Sequence, residues 1–203
     1  MNTWVKSWVP SGDIIGMLSR HDETFGIAKC LSAYQNDKLV YHPTVLFAYL
    51  PCDSAINSLH EYRMHDYELQ PKQRTISNDI IRGTDEMGVM LMGHDLKAWW
   101  VGSLLNIEET RRLITEQNAT TLQVAIAVVA ATLYCINHPQ LGLCLPDDLD
   151  FEEILEISRP YLGKFVSQQV DWSPNQTSSS IKLQLETKDE WQFSSFRISF
   201  SKT

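Results

Sequence analysis

Residues Ala119 to Asn137 constrain this chain more than any other stretch. They carry apolar side chains nearly all the way round a helical wheel, and Pro139 closes them. An amphipathic surface helix keeps one polar face, whereas a helix without one has to be covered on every side. The pattern therefore predicts a central buried helix with other elements laid around it. The longest uninterrupted apolar run, Val124 to Ala131, is far short of the roughly 20 residues that cross a bilayer. A core helix is thus the expectation, and a membrane partner is not. The first ten residues contain no apolar signal region, and the expected location is cytoplasmic.

Shorter elements should surround this helix. Thr3 to Val9, Asp13 to Ser19 and Leu39 to Leu50 have the β-branched and aromatic content of strands. Pro43 assigns the last of these to a sheet edge or a bulge. Asp53 to His65 reads as a helix with Asp53 at its N-cap, and Arg74 to Ser77 as a short strand. Gly88 to Gly93 and Ala98 to Leu104 form a hairpin about the polar turn from His94 to Lys97. Both runs are apolar on both faces, so burial on both is expected. Ile107 to Ile114 is helical, with acids early and arginines late as the helix dipole favours. Asp150 opens a third helix with Glu153 as capping-box partner, and Pro160 ends it. Lys164 to Trp172 is a final strand.

The fold class is α+β, a mixed β-sheet with helices packed on it. One domain is expected over residues 1–172. Residues 173–203 are expected to be a linker and a tail that docks through Trp191, Phe193, Phe196, Ile198 and Phe200. With 203 residues and 43% hydrophobic content, such a body can bury a sizeable core. The net charge of −8 excludes a sequence-independent nucleic-acid binder, which needs a basic face. Cys30, Cys52, Cys135 and Cys144 form no C-x-x-C pair and read as free thiols.

Motifs of known chemistry are sparse. No G-x-G-x-x-G, G-x-x-x-x-G-K-[ST], G-x-S-x-G or H-E-x-x-H occurs, and the glycines are scattered. Nothing in the pattern cradles a nucleotide phosphate or assembles a metal site. Two clusters remain. Arg20-His21-Asp22-Glu23 follows an apolar strand directly, and a histidine among carboxylates can shuttle a proton or meet an amine. A solvated turn is the plainer reading of the same residues. Trp99, Trp100, Tyr34, Tyr41, Phe47 and Tyr49 could hold a cation over their rings, but strand positions make core packing the simpler expectation. His42, His60, His65, His94 and His138 show no ligand spacing.

Several stretches together carry a resemblance. They include Tyr49-Leu50-Pro51-Cys52-Asp53-Ser54-Ala55, Ser58-Leu59-His60-Glu61, and the run from Gly93 through His94-Asp95-Leu96-Lys97-Ala98-Trp99-Trp100 to Ser103. Gln117-Asn118-Ala119-Thr120-Thr121-Leu122-Gln123-Val124, Asp147 to Phe151, Pro160-Tyr161-Leu162-Gly163 and Glu190-Trp191-Gln192-Phe193 extend it to the tail. The chain resembles the C-terminal portion of bacterial homospermidine synthases, enzymes of the saccharopine dehydrogenase type.

The resemblance implies an NAD-dependent transferase of polyamine biosynthesis. Putrescine is oxidised to an imine, a second putrescine attacks, ammonia leaves, and reduction gives homospermidine. It implies a Rossmann domain joined to an α+β catalytic and dimerisation domain, and so a homo-oligomer. The Gly-rich half should precede Met1, so no cofactor is expected on this chain alone. A separate Rossmann-domain chain would be its partner. Of the family's diamine pocket only Arg20 to Glu23 matches, and it implies His21 as a pocket residue, with Glu23 second. A non-catalytic dimerisation or binding module left from a split or truncated gene is the alternative.

Overall fold

The structure, a computed structural model, describes residues 3–73, 75–175 and 190–198. The chain divides into two compact units. One takes the residues up to Thr75 and those from Trp172 onward, and the other takes Ile76–Asp171.

In the first unit β1 (Trp4–Val9) and β2 (Gly12–Ser19) form an antiparallel hairpin. Gly12 closes its turn at φ 127, a backbone angle that side chains resist. β2 leads into α1 (Asp22–Cys30). A ribbon follows, β3 (Ala33–Gln35) with β4 (Lys38–Tyr41), turning at Asn36 and Asp37 with φ 49 and 61. Asn and Asp tolerate that left-handed pair. β5 (Phe47–Tyr49) then adds to the free edge of β2, giving the order β1-β2-β5, and α2 (Asp53–Met64) follows. Near the end of the chain one turn of helix, α6 (Phe193–Phe196), precedes Arg197, which bridges to Val5. Phe196 and Trp172 are buried, with ring centroids 6.0 Å apart.

The expected long strand from Leu39 to Leu50 is thus two strands in different pairings. Pro43 fixes φ and has no N–H to give a ladder, so the run breaks around it. The sequence does not announce α1, because Gly26 lies inside it and none of its residues is buried, nor β3, which is three exposed residues long. Cys52, not Asp53, occupies the N-cap of α2; Asp53 sits in the first turn, where the dipole still favours it. Arg74 lies outside the described residues, and Thr75 to Ser77 form no strand.

The second unit holds β6 (Thr84–His94), β7 (Lys97–Asn106) and β8 (Lys164–Val170), ordered β6-β7-β8. Every strand pairing in both units is antiparallel among the described residues. Gly88 sits opposite Gly102, and the Trp100 ring lies across both. A Cβ on Gly102 would meet Trp100 Cη2 at 2.8 Å. The two glycines thereby make the space in which Trp100 is fully buried.

Two helices pack on this sheet, and a third packs on one of them. Asn106, Asn118 and Asp150 cap α3 (Ile107–Leu113), α4 (Ala119–Asn137) and α5 (Phe151–Ser158), each side-chain oxygen accepting a first-turn N–H. Glu153 does not close the expected capping box; its carboxylate takes His138 Nε2 at 2.9 Å instead. The inward face of α4 carries Leu122, Ile126, Ala130 and Tyr134, with Leu122 and Ala119 clustered on Leu105. Side-chain hydrogen bonds join α4 to the sheet: a buried one from Gln123 Nε2 to Ser103 Oγ at 2.9 Å, and one from Thr120 Oγ1 to Asp85 Oδ2 at 2.5 Å.

Two burial expectations are corrected here. α4 is buried along one stripe only, while Val128 and Ile136 are 64% and 67% exposed. Strand β6 likewise exposes Met87, Val89 and Leu91 on one face of the hairpin. Apolar character on all sides requires cover on all sides, and the described residues supply cover on one. By length and composition α4 is also apolar enough to cross a membrane. Thr, Gln and Tyr interrupt its apolar runs without adding charge, so a count of consecutive apolar residues understates it.

Candidate functional site in the first unit

The pairing of β2 with β5 sets Ser19 opposite Phe47, so the strand end that delivers Arg20 and His21 meets an aromatic ring. His21 is the N-cap of α1, with φ −132 and ψ 133, and its side chain does not cap. Its carbonyl does the local work, accepting Thr24 N at 3.1 Å and Thr24 Oγ1 at 2.6 Å. The imidazole is therefore available. It stacks on Phe47 with ring centroids 4.4 Å apart and planes 19° from parallel. Nδ1 is in contact with Glu23 Oε2.

Glu23 belongs to the first turn of α1, and its carboxyl is held below the usual carboxylate range. The largest cause is a hydrogen bond to its own backbone, followed by the bond to His21. A lowered folded pKa means the pairing contributes fully above the ordinary value of 4.5 and is lost as pH falls through the depressed one. Both side chains are open to water, 46% for His21 and 69% for Glu23, so solvent screens the pair. Arg20 turns away and lies over Phe25, 5.3 Å from the ring centroid. An imidazole with one nitrogen held by a carboxylate and one open to solvent can accept and return a proton. An adjoining ring and carboxylate favour a cationic partner.

Of the aromatic group expected in the core, only Trp100 is fully buried. Tyr34, Tyr41, Tyr49 and Phe47 are exposed, and Trp99 donates to Ser167 Oγ at 2.9 Å. The ribbon and β5 are too short to be covered on both sides. The Cys144 thiol is pushed up, first by desolvation and then by Cys135 and Asp148, the wrong direction for a nucleophile. No described strand runs through a Gly-rich turn into a helix, and all strand pairs are antiparallel, so these residues do not fit the phosphates of a dinucleotide. The sequence offers Phe47 only as one of six aromatics that could hold a cation, with core packing preferred, and does not pair it with His21. The signal of that pairing lies in the strand register, which a single sequence does not display.

No family model matches the chain. It is similar to the homospermidine synthase of Blastochloris viridis, 40% identical over 200 residues, which cover 95% of this chain and 41% of that enzyme. To the homospermidine synthase of Mesorhizobium japonicum it is 36% identical over 196 residues, again 95% of this chain and 40% of the relative. The crystal structure of the Legionella pneumophila homospermidine synthase in complex with NAD superposes with a TM-score of 0.91 at 36% identity. That match covers 98% of this chain and 44% of the Legionella protein. The chain spans about two-fifths of the length of the curated relatives it matches.

Proposed function

We propose that this chain, homologous along nearly its whole length to part of the homospermidine synthases, supplies diamine-handling residues to such an enzyme. The reaction would join two putrescines into homospermidine with release of ammonia. NAD, held by a Rossmann half outside these residues, would take up hydride and return it. His21 would line the diamine pocket and move the proton of the reacting amine, with Glu23 beside it. The observation that carries this reading is 40% identity over 95% of the chain, combined with an exposed His–Glu–Phe cluster at a strand end.

The test is reconstitution. The chain is mixed with the remaining portion of the Blastochloris viridis enzyme, putrescine and NAD, and homospermidine is measured by chromatography. Product that depends on this chain supports the reading. A stable complex without product favours a non-catalytic binding module.

The same reading accounts for the uncovered apolar faces of the second unit. Val124, Val128 and Ile136 of α4, with Met87, Val89 and Leu91 of β6, would be covered by further copies or by the remaining portion of such an enzyme. The chain alone is therefore expected to self-associate, with sedimentation velocity showing dimers or larger species that dissociate on dilution. A clean monomer at high concentration would leave these faces without the proposed role.

A further inference from the structure

We infer that Nε2 of His21 is the nitrogen that handles the proton, and that Phe47 is the positioning residue that holds the ring for it. This rests on the reading of His21 given above and names the atom and the support that reading lacks. The Nδ1 side is occupied by Glu23 Oε2, an acceptor at neutral pH. An ionised carboxylate accepts and cannot donate, so a neutral imidazole in this contact carries its proton on Nδ1. The lone pair is then on Nε2, which has no hydrogen-bond partner among the described residues. Free imidazole side chains in water lean toward the opposite tautomer, so the pairing with Glu23 reverses a default. A carboxylate that fixes the tautomer of a proton-transferring histidine is a recurrent arrangement.

The carboxylate alone does not fix the ring plane, because rotation about the last side-chain bond can keep one hydrogen bond while swinging Nε2 through an arc. Phe47 removes that freedom. Its ring lies nearly parallel to the imidazole at stacking distance. The β2–β5 ladder pairs Phe47 with Ser19, two residues before His21, and holds the rest of β5 on Leu18 and Met17. Stack and strand end thus move as one piece. In the proton step Nε2 accepts one proton from a substrate ammonium, the imidazole becomes a cation beside the Glu23 carboxylate, and the same proton is later returned.

The experiment uses the whole chain and nitrogen-15 NMR of His21 at a pH where the ring is neutral. The expected result is a protonated Nδ1, a pyridine-like Nε2, and ring protons shifted upfield by Phe47. In Phe47→Leu the upfield shift should vanish, while Phe47→Tyr keeps it. In Glu23→Ala the tautomer should revert to protonated Nε2. In the reconstituted enzyme, Phe47→Leu should lower kcat about tenfold or more with KM little changed, and Phe47→Tyr should restore it. A wild-type ring protonated on Nε2, or one without the upfield shift, overturns the inference even if Phe47→Leu does not fold. If the tautomer and stack are as expected but His21→Ala leaves turnover intact, the fault lies with the functional reading and not with this one.

Discussion

Replacing His21 by alanine in the reconstituted enzyme is expected to lower kcat about a hundredfold or more, the usual contribution of a positioned acid–base group. Putrescine is a dication at neutral pH, so its pocket has to offset the desolvation of two ammonium groups. Carboxylates and aromatic faces do this. The reacting amine has also to lose a proton before hydride can leave its carbon, and imidazole is the side chain that titrates in the needed range. His21 has the required surroundings: a carboxylate on Nδ1, an aromatic ring beneath, and solvent access. The loss should appear in kcat and kcat/KM together, as for an interaction made in the transition state. Unchanged kcat and KM would return His21 to the role of a turn residue at the start of α1.

Replacing Ile126 by alanine is expected to destabilise the chain by about 2–5 kcal/mol, from lost transfer energy and the cavity left behind. Ile126 lies mid-way along the inward stripe of α4 and is 6% exposed. The loss is a large share of the roughly 5–15 kcal/mol that holds an ordinary domain together. Urea denaturation should show a lower midpoint with an unchanged slope. Val128→Ala on the outward face, measured below the concentration at which the chain associates, should change stability by under about 0.5 kcal/mol. Equal losses at the two positions would mean that α4 is covered on both sides in solution.

How far the sequence discloses this structure can be judged element by element. α4 is legible to the residue, because Asn118 caps it and Pro139 stops it, and both signals are local. The β6–β7 hairpin is equally clear, although it runs several residues longer than the apolar runs suggest. What composition could not convey is which apolar face finds a cover, since that depends on elements far away in the chain. Val128 and Ile126 look alike in sequence and differ tenfold in exposure. At the site, His21 and Glu23 stand two residues apart and suggest each other. Phe47 enters only through antiparallel register, a non-local property. Glu153 shows the converse: a good local capping pattern yields to a distant histidine.

The buried contact between Gln123 and Ser103 has a bearing on how α4 finds its place. Leu122, Ile126 and Ala130 recur four residues apart, so sliding the helix along the sheet by one turn, about 5.4 Å, exchanges one aliphatic residue for another. Packing by itself distinguishes these placements weakly. A slide brings Ala119 or Ala127 opposite the Ser103 hydroxyl and leaves that hydroxyl and the amide unpaired, at about 1–3 kcal/mol for each orphaned group. This buried hydrogen bond, with the one from Thr120 Oγ1 to Asp85 Oδ2, thus works as an alignment key, selecting one docking position from a ladder of near-equivalent ones.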